Sequence, residues 1–134
     1  MQIGVEARRA VENRRVFVID GDEIARTALQ FMLADDNETH EFAALADAVE
    51  KAKTHPPDLI LVGSGFAGRQ VKAHFAAAKL LLTCANAARP NAEAARTQGI
   101  DGFIDLPLKL ESVRSRVDGA LGRARTLAIS VVQV

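Results

Sequence analysis

Short apolar runs alternate with helix-period stripes along this chain. Arg15-Val16-Phe17-Val18-Ile19 is a compact β-rich run closed by Asp20-Gly21-Asp22. A continuous apolar run ended by a Gly/Asp turn suits a central strand of a parallel sheet covered on both faces. Asp22 or Gly21 can cap the segment that follows, where Ile24, Ala28, Phe31 and Met32 recur at helical spacing and Leu29 and Leu33 widen the stripe. Asp35-Asp36-Asn37 is turn chemistry and should end that helix. A weaker strand is expected around Thr39–Ala43, then an alanine-rich helix from about Leu45 to Thr54, broken by His55-Pro56-Pro57.

The clearest strand pattern is Asp58-Leu59-Ile60-Leu61-Val62, which runs into the loop Gly63-Ser64-Gly65-Phe66-Ala67-Gly68. A short helix around Val71–Ala78 and a strand over Lys79–Thr83 come next. Pro90 is placed to open a helix that Gly99 can close. Asp101–Leu106 reads as a fifth strand interrupted by Pro107, and Leu110, Val113, Val117, Ala120 and Leu121 form a last amphipathic stripe. Such alternation predicts a parallel sheet with helices on both faces and right-handed crossovers, a doubly wound α/β domain of the flavodoxin-like kind. Residues 1–13 read as an arm or short helix, 14–125 as the domain and 126–134 as an apolar tail.

Composition narrows the function classes. A chain of 134 residues fits one domain with a real core. Lysine plus arginine equals aspartate plus glutamate at 17 each, so no net field favours nucleic acid or a basic partner. The arginines gathered at Arg8, Arg9, Arg14 and Arg15, and at Arg114, Arg116, Arg123 and Arg125, read as solvated faces. A single cysteine, Cys84, excludes an internal disulfide and a cysteine-based zinc site. Without a long apolar run or a secretion signal, the expected setting is cytoplasmic, with no membrane partner.

Several stretches in register resemble the receiver domains of two-component response regulators (CheY-like), over roughly Arg14–Arg125. Val18-Ile19-Asp20-Gly21-Asp22-Glu23 looks like the acidic turn after that family's first strand. His55-Pro56-Pro57-Asp58-Leu59-Ile60-Leu61 is similar to the approach to its phospho-acceptor strand, and Gln98-Gly99-Ile100-Asp101-Gly102-Phe103-Ile104 to the run into its fifth strand. The resemblance implies a site of two acids, an acceptor aspartate, a hydroxyl and a lysine, with an aromatic switch on the fifth strand. Asp20 matches the first acid, but Gly21 stands at the second and Gly63 at the acceptor. Thr83 corresponds to the hydroxyl, Leu106 to the lysine and Phe103 to the aromatic. Acyl-phosphate formation needs a carboxylate nucleophile and a cation to neutralise the phosphoryl oxygens. Magnesium also wants octahedral oxygen ligands, which one carboxylate and backbone carbonyls supply poorly. The chain therefore resembles a degenerate member, a pseudo-receiver. The interval from Gly63 to Thr83 is about ten residues shorter than the family places there, so a shortened third helix is expected.

Each feature has a bland reading beside the sharp one. Asp20, Asp22 and Glu23 are a weak candidate metal cluster, or a helix cap that complements the dipole. The Gly63–Gly68 loop could cradle an anion, which would suit a small ligand-binding protein or enzyme, or merely replace a lost site tightly. Cys84 is a redox sensor or a small core residue, and Phe103 a switch or core filling. His40, His55 and His74 are not spaced as ligands. The expected function is a non-enzymatic, cofactor-free signalling module whose partner is a sensor kinase, another regulator or itself; the resemblance implies contact through the fourth helix, fifth strand and fifth helix, the face that family commonly uses for dimerisation. Leu127-Ala128-Ile129-Ser130-Val131-Val132-Gln133-Val134 has strong β character and no charged side chain. Left exposed it is an aggregation hazard, so an extra strand or a dimer contact is expected there.

Overall fold

The computed structural model describes residues 14–123. Five strands are present among the described residues: β1 (Arg14–Ile19), β2 (Asn37–Phe42), β3 (Leu59–Gly63), β4 (Lys79–Ala85) and β5 (Gly102–Leu106). Between them lie α1 (Glu23–Leu33), α2 (Leu45–Ala52), α3 (Gly68–His74), α4 (Ala92–Thr97) and, after β5, α5 (Leu110–Leu121). All strands are parallel and the sheet order is β2-β1-β3-β4-β5. This is the flavodoxin-like winding, with its switch point between β1 and β3.

The strands alternate their side chains between two cores. Val16, Val18, Leu59, Leu61, Leu81 and Ile104 pack under α1 and α5 through Leu29, Leu33, Val113, Val117 and Leu121. Phe17, Ile19, Ile60, Val62, Leu80, Leu82 and Cys84 pack on the opposite face against Ala48, Val71, Phe75, Ala95 and Ile100. Every residue of β3 is buried, as a strand covered on both sides must be. Cys84 is thus a core residue with its thiol pushed up by desolvation.

The structure corrects several boundaries. The α1 stripe turns inward on Leu29 and Leu33, while Ile24 and Phe31 are 80% and 81% exposed, because the sheet takes only one narrow side of this helix. Helix α1 ends at Leu33 rather than in the Asp/Asn cluster. Asn37 already begins β2, and its side chain donates to Leu33 O at 3.1 Å. Helix α3 begins earlier than expected, at Gly68, and spans only seven residues. Helix α4 opens at Ala92 rather than in a first turn at Pro90, and Asn91 caps it, accepting from Ala94 N at 2.8 Å. Strand β4 continues past Thr83 to Ala85. The boundary at 125, the arm 1–13 and the tail 126–134 lie outside the described residues.

Two polar groups of contacts fix the ends of the sheet. Arg123, just past α5, reaches Asn37 Oδ1 at 2.6 Å, Asp36 O at 3.2 Å and the buried Asp118 carboxylate at 3.4 Å. The end of α5 is thereby tied to the start of β2. On β1, Arg15 pairs with Glu38 at 2.7 Å, and His40 lies 2.8 Å from the same carboxylate. The hydrogen bond from Arg15, then that from His40, hold Glu38 at about 2, well below its ordinary 4.5.

Because the folded carboxylate is harder to protonate, its contribution is complete above pH 4.5 and fades as pH falls toward 2. The pair is partly exposed, so the contribution is below ~1 kcal/mol. Glu38→Gln is expected to lose less stability than the parent between these pH values. Urea midpoints measured at several acid pH values check this, and parallel curves for the two proteins would contradict it.

Candidate functional site

The carboxyl ends of β1, β3 and β4 bring three of the expected residues together: Asp20, Gly63 and Thr83. Asp20 follows β1, whose partner β3 ends at Gly63, and Gly63 pairs in register with Thr83. The Asp20 backbone is fixed on both sides, its N–H donating to Phe42 O at 3.0 Å and its carbonyl accepting from Arg26 at 2.9 Å. Its Oδ1 accepts from Asp22 N at 2.9 Å, closing a small turn over Gly21. Asp22 in turn caps α1, accepting from Ile24 N at 3.1 Å. Both acids of the turn therefore complement backbone donors at a helix start.

Gly63 shows why glycine stands at this position. A Cβ placed there would lie 2.7 Å from Asp20 Cγ and 2.7 and 2.8 Å from its two carboxylate oxygens. The Asp20 carboxylate lies directly against the Gly63 backbone, in the space any side chain at 63 would need. Two carboxylates packed this closely would also repel. Among the described residues, no group of three or more His, Cys, Asp or Glu side chains is arranged to hold a metal ion.

Thr83 is 97% buried and its hydroxyl donates to Val62 O at 3.3 Å, within the sheet. Turning it toward a phosphoryl group would break that bond. The position is interior to β4 rather than at its end, which the sequence pattern missed. Gly21 is exposed, with open space where a side chain would go. Leu106 ends β5 beside Ala85 and is 39% exposed, joined to Pro107 by a cis peptide bond. The site thus gathers Asp20, Gly63 and Thr83 and leaves Gly21 and Leu106 at its margins.

Two functional-looking residues were not legible in the sequence. Arg26 bonds the Asp20 carbonyl and pairs with Glu41 at 3.0 Å, so the cation nearest the turn is already engaged. Arg89 lies with its guanidinium 4.7 Å from the centre of the Phe103 ring and forms an ion pair with Asp105. Phe103 packs against the core on the α2, α3 and α4 side and is capped from outside by Arg89. Neither spacing has a motif, since both contacts join separate strands or loops.

The Gly63–Gly68 loop is a turn, with Phe66 N–H donating to Gly63 O at 3.2 Å and Phe66 packed on the core. Gly68 enters α3 where a Cβ would meet Gln98 O and the Ile100 side chain, both at 3.1 Å. Gly68 thus serves close packing of α3 on the α4–β5 connection, whereas Gly65 faces open space.

No protein-family model and no curated protein matches this chain. Solved structures do. The fold is that of response-regulator receiver domains. The chain is similar to the chemotaxis protein CheY4 of Vibrio cholerae, at 16% identity and a TM-score of 0.69, over 81% of this chain and 99% of that one. A response regulator from Thermotoga maritima matches at 18% and 0.70, over 82% and 98%. A two-component response regulator from Clostridium difficile matches at 18% and 0.68, over 84% and 99%.

The contact between Asp20 and Gly63 makes a double-mutant expectation. Gly63→Ala should destabilise the fold by about 1–2 kcal/mol, the usual cost of an overpacked methyl. In an Asp20→Ala background the same change should cost much less, since the clashing carboxylate is gone. Chemical denaturation of the four proteins measures the coupling. Additive costs would show that the two positions do not share this space.

Proposed function

We propose that this protein is a receiver-like signalling module that does not take up aspartyl phosphate and acts by contact with another protein. The observation that carries this reading is the Asp20 carboxylate lying against Gly63. An acceptor side chain is absent at 63, and the room for one is filled by the remaining acid. The buried, bonded Thr83 hydroxyl and the aliphatic Leu106 support it, since neither can stabilise a phosphoryl oxygen as they stand.

The partner is a sensor kinase, another regulator or a second copy of the chain, and the pathway is two-component or related signalling. The contact face is built from α4, β5 and α5, where Leu106 and Leu110 present partly exposed apolar surface at 39% and 41%. No catalysis, cofactor or nucleic acid enters this reading, and its setting is the cytoplasm. No helix among the described residues is long and apolar enough to cross a membrane.

Incubation with a small phosphodonor and magnesium, followed by intact-mass measurement, tests the proposal. Neither the parent nor Gly63→Asp should gain a phosphoryl group, because the acid restored at 63 meets Asp20 and lacks both the second acid at 21 and the lysine at 106. Ready phosphorylation of Gly63→Asp would show that the site is intact apart from one residue. Phosphorylation of the parent would overturn the proposal outright.

A further inference from the structure

We infer that copies of this chain associate head to tail, the exposed face of α1 on one copy docking into the groove between α3 and α4 on the next. The contact is independent of phosphorylation and of the Leu106 and Leu110 surface, and rests on two features outside the candidate site.

The first is α1. Ile24 and Phe31 are 80% and 81% exposed, although both are large and apolar. They lie about two helical turns apart with exposed Thr27 between them, so they share one outward stripe. Single exposed apolar residues are ordinary, whereas two on one stripe make a patch. Acids frame it. From Asp20 to Asp36 the chain carries Asp20, Asp22, Glu23, Asp35 and Asp36 against one arginine, Arg26. Arg26 is engaged by Asp20 O and Glu41. Arg114 lies 3.7 Å from Asp35, whose side chain is still 83% exposed.

The second is a groove on the opposite face of the sheet. Helix α3 is short, and the missing Cβ of Gly68 lets it settle on Gln98 O and Ile100. Ala67, Arg69, Gln70, Ala73 and Gln98 line a groove of about 560 Å³ there. Alanine methyls and the stems of longer side chains form its walls, which suits an apolar group. Its rim is cationic. No Asp or Glu occurs from Leu59 to Ala92, a stretch that holds Arg69, Lys72, Lys79 and Arg89. Lys72 and Arg89 are paired with Asp101 and Asp105. Arg69, in the groove, and Arg96, two residues before Gln98, form no ion pair among the described residues. The one acid of α3 and α4 is Glu93, at the far end of α4 from Gln98.

The two surfaces complement each other, an acid-framed apolar stripe and a cation-rimmed apolar groove. Phe31 supplies an aromatic anchor, a type enriched at the centres of protein contacts. Nucleic acid fits the groove less well, because it would need a row of phosphate contacts and would leave the apolar lining unmatched. Helix α1 packs with α5 on one face of the sheet, and α3 and α4 pack on the other. One pair of copies therefore cannot make the contact twice, and every pair leaves a stripe and a groove open. Contacts of that type propagate into rings or open chains.

Sedimentation velocity of the full chain at low salt, from about 10 µM to about 1 mM, tests this over the range that a small, weak contact requires. The average mass should rise with concentration past that of a dimer, and should fall back when salt is raised. Phe31→Gln and Arg69→Glu, both at exposed positions, should each remain monomeric throughout. Mixed in equal amounts they should form pairs and go no further, since one intact stripe and one intact groove remain between them. A parent chain that stays monomeric, or that stops at a dimer, would overturn the inference. So would association retained by either variant, or a mixture that remains monomeric while the parent associates. Thermal melts check that both variants are folded, and Ile24→Gln or Arg96→Glu replaces one that is not.

Discussion

Burial of the central strands on both faces governs this molecule. Each large aliphatic side chain taken fully out of water contributes ~1.5–3 kcal/mol, and β1, β3 and β4 place such groups alternately above and below the sheet. That demand forces helices onto both faces, which requires parallel strands and crossovers. The crossovers in turn deliver the strand ends, with their turns and loops, to one rim. The candidate site lies on that rim because nothing with an unpaired backbone can sit between the layers. Its residues are held by the sheet register: Gly63 is opposite Thr83, and the Asp20 N–H is bonded across to the end of β2.

Within that frame the rim is arranged around one carboxylate. Asp20 serves the turn through Asp22 N and occupies the space over Gly63. Arg26, the nearest cation, is bound to a carbonyl and to Glu41. The hydrogen bonds of Asp20 Oδ1 and of the Asp20 backbone are thus directed into the fold. In the loop after β4, Arg89 covers Phe103 and pairs with Asp105, so the aromatic is held between core and cation.

The sequence made the sheet legible and the helices less so. Strand patterns such as Val16–Ile19 and Leu59–Val62 are unambiguous because a doubly covered strand is apolar at every position. The α1 stripe misled at Ile24 and Phe31, since helical periodicity counts apolar residues without saying which side meets the sheet. Leu29 and Leu33 won that side by facing Val16 and Val18. Thr83 could be read as the hydroxyl position but not as a strand-interior residue, because β4 runs on through Cys84 with no polar signal to stop it. The identity of Gly63 was legible, whereas its cause, the Asp20 carboxylate beside it, exists only once β1 and β3 are paired. Arg89 and Arg26 act across the fold, and no local pattern announces them.

The close packing of Asp20 on Gly63 bears on how such a chain can vary. A side chain at 63 is obstructed while Asp20 keeps its present orientation, and Asp20 keeps that orientation through the Asp22 amide. Point substitution at 63 therefore runs uphill whatever residue it introduces, and an acid adds charge repulsion to crowding. Any side chain at 63 requires the Asp20 carboxylate to move first, which couples variation at the two positions.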